Sequence, residues 1–451
     1  MKFAIRYVDD KEVQFSDDTY AFTISSTGYS EIYSSIYDLW RRIYKSSMPA
    51  VYEDLFVFGL SVFAIDKRMS RKFAADNWSR DISVYFPVHN KEPWESSREL
   101  IARMLAFLSG DNWDVHFYET DYHYAKEPIQ KRYQIDLTGF QEVCLFSGGL
   151  DSLCGAIHLA EQGKSLLLLG HNEYPKLRLK QDAMAKTIGE YYANQRIQFF
   201  DFSANSRAPH NIDGRLPNNE NTCRSRSLLF LTAATSIAGL LGETTKVVIP
   251  ENGFISINVP LTASRLGTCS TRTTHPYFLK CFSQLLENLA LRHTIENPFQ
   301  FMSKREVVEC VENTEAFKIT YPETISCSHP CVGRWHRNSN PINCGYCYPC
   351  MIRKASLLSQ PSDYTPYAPL TYTTVQEIME TDGMKTSDIK ALMASVHRYK
   401  NADDRQIKRL IRSTGPIDAD NLDKHLHVYK NTMVDVEMLL QREIGYCEDE
   451  T

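Results

Sequence analysis

VCLFSGGLDS, at residues 143–152, joins an apolar strand pattern to a helical pattern that continues from Leu153 to Leu159. The two glycines let the backbone approach a phosphate closely, and the free N–H groups and positive dipole end of the helix start attract negative charge. This order predicts an anion-binding site, with an ordinary serine-capped helix as the alternative. GxxxxGK[ST] is absent and no GxGxxG occurs here, which argues against a kinase-type or dinucleotide site.

The surrounding region alternates short apolar strands with helices. Strands are predicted at Val143–Phe146, Leu166–Gly170, Ile197–Phe200 and Lys246–Pro250. Helices are predicted between them, at Asp151–Gln162, Leu177–Tyr192 and Ser225–Leu241. The strands are apolar on both faces, as a covered parallel sheet requires. We therefore expect a doubly wound α/β sheet that binds its ligand at the carboxyl ends of the strands.

The chain divides into three predicted parts: residues 1–138, 141–358 and 370–451, with a proline-rich linker at 360–369 before the last. The first part reads as an α+β module with a recognition role, and the last as a helical module. The N-terminal strands are predicted at Lys2–Val8, Thr19–Ile24, Leu55–Ile65, Asp81–Val88 and Trp113–Glu119, with helices at Glu31–Lys45 and Ser96–Leu108.

Composition is that of an ordinary globular protein. The formal net charge of −5 gives no direct indication of nucleic-acid binding. The longest apolar run, Leu228–Leu241, is too short to span a bilayer. The N-terminus reaches charged residues too early for a secretory signal, so we expect a cytoplasmic protein without membrane association.

Cysteines cluster in the second half of the chain. None of the 12 precedes Cys144, and Cys344, Cys347 and Cys350 form C-x2-C-x2-C downstream of Cys327. Four thiolates at this spacing predict a closed tetrahedral zinc site, although thiolates also suit an iron–sulfur cluster. Alternative ligands in the intervening loop are His329, Cys331 and His336.

FSGGLDS at 146–152 resembles the PP-loop of enzymes that split ATP into AMP and pyrophosphate. With the arginine-led helix at 226–231 and the cysteine cluster, it resembles QueC, the 7-cyano-7-deazaguanine synthase family, over about 141–358. The segment 297–306 and the pair Ser326-Cys327 are similar to the family as well. The added terminal modules resemble the anti-phage defence branch, QatC of the Qat system above all, with QueC-like CBASS proteins as a near alternative.

The resemblance implies a sheet of the PP-loop ATP pyrophosphatase (adenine nucleotide alpha hydrolase-like) type, ATP and Mg²⁺ as cofactors, and Zn²⁺ on Cys327, Cys344, Cys347 and Cys350. The implied nucleotide-binding residues are Phe146, Ser147, Gly148, Gly149, Leu150, Asp151, Ser152, His171 and Arg226. Asp151 would orient the loop or Mg²⁺, while Arg226 and Lys304 would contact phosphates as the other catalytic residues; solvated or salt-bridged surface charge is their alternative. Arg224 is a weaker cationic candidate, and Glu251 and Asn252 are candidates for the acceptor pocket.

The implied reaction is ATP-dependent ligation. The enzyme would adenylate a 7-deazaguanine carboxylate, release pyrophosphate and pass the acyl group to an amine, in the defence branch on a protein partner from the same operon. Residues 250–276 lack the family's Gly-Tyr-Pro-Asp-Cys segment, which leaves the acceptor open. The alternatives are a stand-alone synthase using ammonia, another adenylating or sulfur-transfer PP-loop enzyme, and a nucleotide-binding subunit of a defence complex without turnover.

Overall fold

The computed structural model of the protein describes the chain apart from a set of short segments. Those segments are residues 9, 11–13, 27–28, 44–47, 125–133, 173, 221–223, 262–271, 332–339, 370–371, 382 and 448–451. The candidate ligand His336 lies outside the described residues.

The described strands lie between residues 2 and 296, and the described elements after them are helices. The strands are β1 Lys2–Tyr7, β2 Tyr20–Ile24, β3 Ile32–Ser34, β4 Asp81–Val88, β5 Asn112–Glu119, β6 Glu142–Leu145, β7 Leu166–His171, β8 Ile197–Phe202, β9 Ala204–Ser206, β10 His210–Asn211, β11 Gly214–Arg215, β12 Lys246–Val248 and β13 Ile295–Glu296. The helices of the first half are α1 Ile36–Ile43, α2 Ala50–Arg68, α3 Lys91–Ser96, α4 Arg98–Ser109, α5 Leu150–Glu161, α6 Pro175–Tyr191, α7 Arg226–Leu241 and α8 Gly253–Ile257. Those of the second half are α9 Pro276–Asn288, α10 Lys304–Glu309, α11 Glu315–Thr320, α12 Tyr348–Ser356, α13 Val375–Glu380, α14 Met384–Lys400, α15 Asp404–Arg412 and α16 Leu422–Ile444.

The central sheet is five-stranded and parallel, in the order β13-β12-β6-β7-β8. The predicted α/β architecture with a parallel sheet is confirmed, and four of its strands lie where the sequence predicted them. The fifth, β13, has two residues and is too short to produce a recognisable pattern. The strand order reverses between β6 and β12, and at such a point an open α/β sheet forms its ligand crevice.

The second sheet, built mainly from the predicted α+β module of residues 1–138, has a parallel centre and antiparallel strands on one side. Strands β2, β1, β4 and β5 are all paired in parallel. Parallel neighbours need crossover connections, which α2 and α4 supply before β4 and β5. Strands β9 and β10, from residues 204–211, pair with β3 and β2 of this sheet.

Helix α2 replaces the strand predicted at Leu55–Ile65, which was wrong. Every residue from Tyr52 to Asp66 is buried. The helix packs against α7 and beneath β3, β4 and β9. A helix covered on all sides shows no polar face, so its sequence lacks the 3.6-residue period and reads as a continuous apolar run.

One hydrophobic cluster extends from Phe3 to Leu291 and joins both sheets through α2 and α7. A second cluster packs the predicted C-terminal helices against the cysteine-rich segment and α12. The three-part division of the chain stays a prediction, but residues 1–138 share their core with the central sheet. Among the described residues, no helix combines the length and apolar character needed to cross a bilayer.

Candidate active site and metal centre

A cavity of about 280 Å³ opens at the carboxyl ends of β6, β7 and β12. Its polar lining comes from the loop after β6, the end of β7, the start of α7 and the segment after β12. Those polar residues are Ser147, Ser152, His171, Arg226, Ser227, Glu251, Thr273 and Thr274. The structure thus brings side chains from distant parts of the chain to the crevice at which the strand order reverses.

The glycine loop turns sharply between β6 and α5. Gly148 has a φ of 83°, and a Cβ built there would lie 2.9 Å from Cγ of Gln181. The side chain of Gln181 also donates to the carbonyl of Phe146 at 3.1 Å. A residue with a side chain would be strained by the left-handed backbone and crowded by this contact.

Serine side chains organise the inside of the loop. Ser147 Oγ accepts the N–H of Gly149 at 3.3 Å and donates to Ser152 Oγ at 3.2 Å. Ser152 Oγ in turn donates to the carbonyl of Gly149 at 2.9 Å. The Leu150 side chain points into the core, so this predicted nucleotide residue contributes only backbone.

Asp151 is held from both sides. Its Oδ1 lies 2.7 Å from Nζ of Lys304, and its Oδ2 accepts from Nδ2 of Asn252 at 2.8 Å. Lys304 begins α10, where Ser303 and Glu306 form a reciprocal capping box that starts the helix at this place. Lys304 and Asn252 therefore fasten the loop, and neither is among the described residues that line this cavity.

His171 ends β7 and is 8% exposed. Its ring packs among Phe63 of α2, Phe202 and Phe230. Among the described residues, neither ring nitrogen has a hydrogen-bond partner. Burial, with the nearby positive charge of Arg226, lowers the pKa of His171 to about 3, so the ring is neutral at pH 7.

Arg226 lines the cavity from the first turn of α7, with its guanidinium 5.3 Å from the Phe230 ring centroid. The start of α7 is fixed by Asp66 of α2, whose Oδ2 accepts the N–H groups of Arg224 and Ser225 at 2.8 and 2.9 Å. Arg80 of the N-terminal sheet pairs with the other oxygen of Asp66. The N-terminal module thus positions Arg226.

Arg224 points away from the cavity. Its Nη1 donates to the carbonyl of Ser109 at 2.7 Å, and its guanidinium lies over Trp78. Burial lowers its pKa to about 10. The structure gives Arg224 a packing role between α7 and the N-terminal sheet instead of a phosphate contact.

Glu251 is the acidic group of the cavity. Its carboxylate accepts hydrogen bonds from Thr273 at 3.0 Å and from Thr274. Burial raises its pKa, and the negative charge of Asp151 acts in the same direction. The backbone of Glu251 exchanges two hydrogen bonds with the side chain of Asn297, which holds it beside the end of β12.

The four predicted metal ligands come together. Sγ of Cys327 lies 3.9 Å from that of Cys347, and Sγ of Cys344 lies 3.9 Å from that of Cys350. Zinc–sulfur bonds of about 2.3 Å in a tetrahedron place sulfur atoms about 3.8 Å apart, so the cluster fits zinc. Cys327 Sγ accepts backbone N–H groups from His329 and Cys344, as a charged thiolate would.

The alternative ligands do not join this cluster. Cys331 is exposed, and the His329 ring stacks on Tyr346. Neither belongs to the four-cysteine group, whose ligand atoms all lie within 4.8 Å of one another. The described residues therefore favour an all-cysteine site.

The metal centre is attached directly to the glycine loop. Ser326, next to Cys327, accepts the N–H of Leu150 on its Oγ at 3.1 Å. Ile325 donates its N–H to the carbonyl of Gly148 at 2.9 Å. A metal that fixes Cys327 thereby fixes two backbone contacts of the loop.

The sequence missed three supporting features: Asp66 at the start of α7, Ser326 on the loop, and Thr273-Thr274 on Glu251. Ser326 was noted only as part of a motif, and Asp66 directly follows the segment that was wrongly predicted as a strand. The threonines offered no signal, because their partner is 22 residues away in sequence. The roles of the predicted site residues stay predictions.

Residues 273–360 match the family model of the queuosine biosynthesis protein QueC. This part of the chain is therefore QueC-like, and it contains Lys304, the threonines on Glu251 and the whole four-cysteine cluster. The glycine loop, His171 and Arg226 lie outside the matched residues. No curated protein matches the chain.

Proposed function

We propose that the protein is an ATP-dependent ligase of the QueC kind that adenylates a 7-deazaguanine carboxylate and passes the acyl group to an amine. The observation that carries this proposal is the cavity at the strand-order reversal, where the glycine loop faces Arg226 and the unpartnered ring of His171. The QueC match of residues 273–360 supports the same class of chemistry, an enzyme of the ligase or synthase kind.

The cavity provides different chemistry at its two ends. Neutral His171 has one donor and one acceptor nitrogen among aromatic rings, which suits the edge and face of a purine. Arg226 and the loop supply positive charge and N–H groups, which suit the phosphates. ATP would therefore lie with its base near β7 and its phosphates along the start of α5.

In the proposed reaction, a carboxylate oxygen of the substrate attacks the α-phosphorus, the bond to the bridging oxygen of the β-phosphate breaks, and pyrophosphate leaves. An amine nitrogen then attacks the acyl carbon, AMP leaves, and the nitrogen loses a proton. Arg226 stabilises charge that develops on the phosphates. Glu251, on the side of the cavity nearest β12, is placed to orient the substrate.

The protein offers a complete set of ligands for Zn²⁺ but not for Mg²⁺ among the described residues of the loop. The four cysteines fit a closed structural zinc site, which would hold the Ser326 contact to the loop. Both carboxylate oxygens of Asp151 already accept hydrogen bonds, so Asp151 acts as a positioning residue. Mg²⁺ would neutralise phosphate charge and would be held mainly by the nucleotide itself.

A protein amine is the proposed acceptor because it needs more binding surface than ammonia does, and residues 1–138, which support the cavity from behind through Phe63 and Asp66 of α2, would provide that surface. Incubation of the full-length protein with ATP, Mg²⁺ and 7-carboxy-7-deazaguanine should release pyrophosphate and AMP only when the acid is present. Addition of the protein encoded by the adjacent gene should raise that protein's intact mass by the mass of the acid minus water.

Other outcomes reject defined parts of the proposal. Free nitrile with ammonia and an unchanged partner mass would indicate a stand-alone synthase. Nucleotide binding without acid-dependent pyrophosphate release would indicate a subunit without turnover. Absence of nucleotide binding by calorimetry would reject the assignment of the cavity.

A further inference from the structure

A second group of possible metal ligands lies in the N-terminal sheet, far in sequence from the four cysteines. His89 directly follows β4, and His123 follows β5. These two strands are parallel neighbours, so their carboxyl ends meet at the same edge of the sheet. Glu53, on the first turn of α2, faces both histidines from across that edge.

The three side chains converge on one carboxylate oxygen. Oε1 of Glu53 lies 3.4 Å from Nδ1 of His123 and 4.0 Å from Nε2 of His89. The rings of His89 and His123 stack at 4.2 Å between centroids. One ligand atom from each residue lies within 4.8 Å of the others.

The environment of His89 resembles that of a metal ligand. Its Nδ1 lies 2.6 Å from Oδ1 of buried Asp54, whose other oxygen accepts the backbone N–H of His89 at 3.0 Å. A carboxylate that accepts Nδ1–H holds the ring in the tautomer whose Nε2 carries a lone pair. That Nε2 is buried, and it has no hydrogen-bond partner among the described residues.

Two electron-rich atoms therefore face each other, Nε2 of His89 and Oε1 of Glu53. The Glu53 side chain is fully buried and also accepts the N–H of Tyr124 at 2.6 Å. A buried carboxylate beside an imidazole lone pair requires a positive charge between them. Either a proton or a metal cation supplies it.

We propose that Glu53, His89 and His123 bind a divalent transition-metal cation, with Asp54 positioning His89. Metal–ligand bonds of about 2.0–2.1 Å in a tetrahedron separate ligand atoms by about 3.3–3.4 Å. The 3.4 Å separation of Glu53 from His123 already matches, and the 4.0 Å separation from His89 needs to shrink by about 0.6 Å. Two imidazoles and one carboxylate suit Zn²⁺ better than Mg²⁺, which prefers oxygen ligands.

Three protein ligands leave a coordination position for water or a small ligand. The side chain of His123 is 46% exposed, so the site is open to solvent on that side. A cavity of about 480 Å³, lined partly by Asp54 and His89, lies next to it. In this respect the site differs from the closed four-cysteine centre, which is mostly buried.

Metal counting on the full-length protein tests the proposal. After loading with Zn²⁺ and removal of unbound ion, the wild type should retain about two zinc ions per chain, and His89→Ala, His123→Ala and Glu53→Gln about one each. His116→Ala is the matched control, since His116 lies on β5 outside the cluster and pairs with Asp114 at the surface. It should retain the wild-type amount.

Loading with Co²⁺ separates the two sites. Thiolate-to-cobalt charge-transfer bands report the cysteine centre alone, so they should keep their intensity in the histidine variants while total cobalt falls by about half. The partly exposed His123→Ala variant should keep the wild-type circular dichroism spectrum. Excess Mg²⁺ should not displace the metal.

A wild type that holds about one ion, all of it accounted for by the thiolate bands, would overturn the proposal and leave a protonated histidine pair on Glu53. Equal loss of metal in His116→Ala and His123→Ala would overturn it too, because the metal would then be bound by surface histidines in general.

Discussion

The ion pair between Asp151 and Lys304 should decide whether the glycine loop keeps its shape. It joins the first turn of α5 to the first residue of α10, inside the QueC-like segment. We consider Lys304→Met, which keeps the length of the aliphatic stem but removes the charge. Asp151 would then be left with Asn252 as its remaining described side-chain partner.

The magnitude follows from distance and burial. At 2.7 Å and an effective dielectric constant of about 20, the attraction is about 6 kcal/mol. Desolvation of two side chains that are 8% and 14% exposed offsets most of this, so the intact pair contributes little net stability. In Lys304→Met, the Asp151 carboxylate stays mostly buried but loses the positive charge that compensates it. We therefore expect the free energy of unfolding to fall by about 3–5 kcal/mol.

Urea unfolding of the full-length protein measures this change, and a double-mutant cycle assigns it to the pair. The double variant that carries both Lys304→Met and Asp151→Asn should lose less free energy of unfolding than the two single variants lose together. The difference, which is the coupling energy of the pair, should be about 1–3 kcal/mol. Lys2→Met is the control, because Lys2 pairs with Asp18 at a similar 3.0 Å but more than half of each side chain is exposed. It should cost less than about 1 kcal/mol.

The same variants report on the loop. Lys304→Met should also weaken ATP binding in calorimetry, since Asp151 no longer holds the start of α5. The reasoning would be refuted if Lys304→Met lowered the free energy of unfolding no more than Lys2→Met does and if the effects of Lys304→Met and Asp151→Asn simply added. Lys304 would then behave as a solvated residue.

Three further changes test the cavity. Gly148→Ala should weaken ATP binding strongly and should lower the free energy of unfolding by more than the about 1–2 kcal/mol that left-handed strain alone costs. Gly139, the control, has a similar φ of 89° and no atom near the position of a Cβ. In urea unfolding, Gly139→Ala should therefore show the cost of the strain alone. Arg226→Ala should weaken ATP binding by about 10- to 100-fold in calorimetry through loss of a charge-assisted contact, and exposed Arg207→Ala should not; equal effects would contradict the assignment. The pKa of about 3 for His171 lies below its unfolded value of about 6.5, so its contribution to the free energy of unfolding is full above pH 6.5 and falls as the pH drops towards 3. In His171→Gln, the fall of the free energy of unfolding across that pH window, measured by urea unfolding at each pH, should be smaller by up to about 5 kcal/mol. An unchanged fall would show that the ring is not held neutral.

Helix α2 links the N-terminal sheet to the proposed active site. Its Phe63 packs on the His171 ring, and its Asp66 caps the helix that carries Arg226. Its first turn also supplies Glu53 to the proposed second metal site. The N-terminal module thus supports the proposed active site from behind and holds the proposed second metal site, which is consistent with a role in presenting an acceptor.

Local patterns in the sequence were enough to predict the strand, glycine turn and helix at 143–159, the parallel α/β sheet, and the grouping of Cys327 with C-x2-C-x2-C. Each depends on neighbours within a few residues or on a spacing that metal geometry imposes. Helices with one apolar face, such as α16 in the predicted helical module, are recognisable from sequence for the same reason. Fully buried α2 was not, because burial on every face removes the periodicity that identifies a helix.

Only the tertiary structure decided which charged and polar residues meet. Lys304, which is predicted to contact phosphates, pairs with Asp151 across 153 positions. Arg224 and Arg226 are two residues apart. Arg224 nevertheless packs between α7 and the N-terminal sheet, whereas Arg226 lines the cavity. His89 and His123 acquire a common partner because parallel strands end at one edge of a sheet. Such encounters depend on long-range packing, which no local pattern encodes.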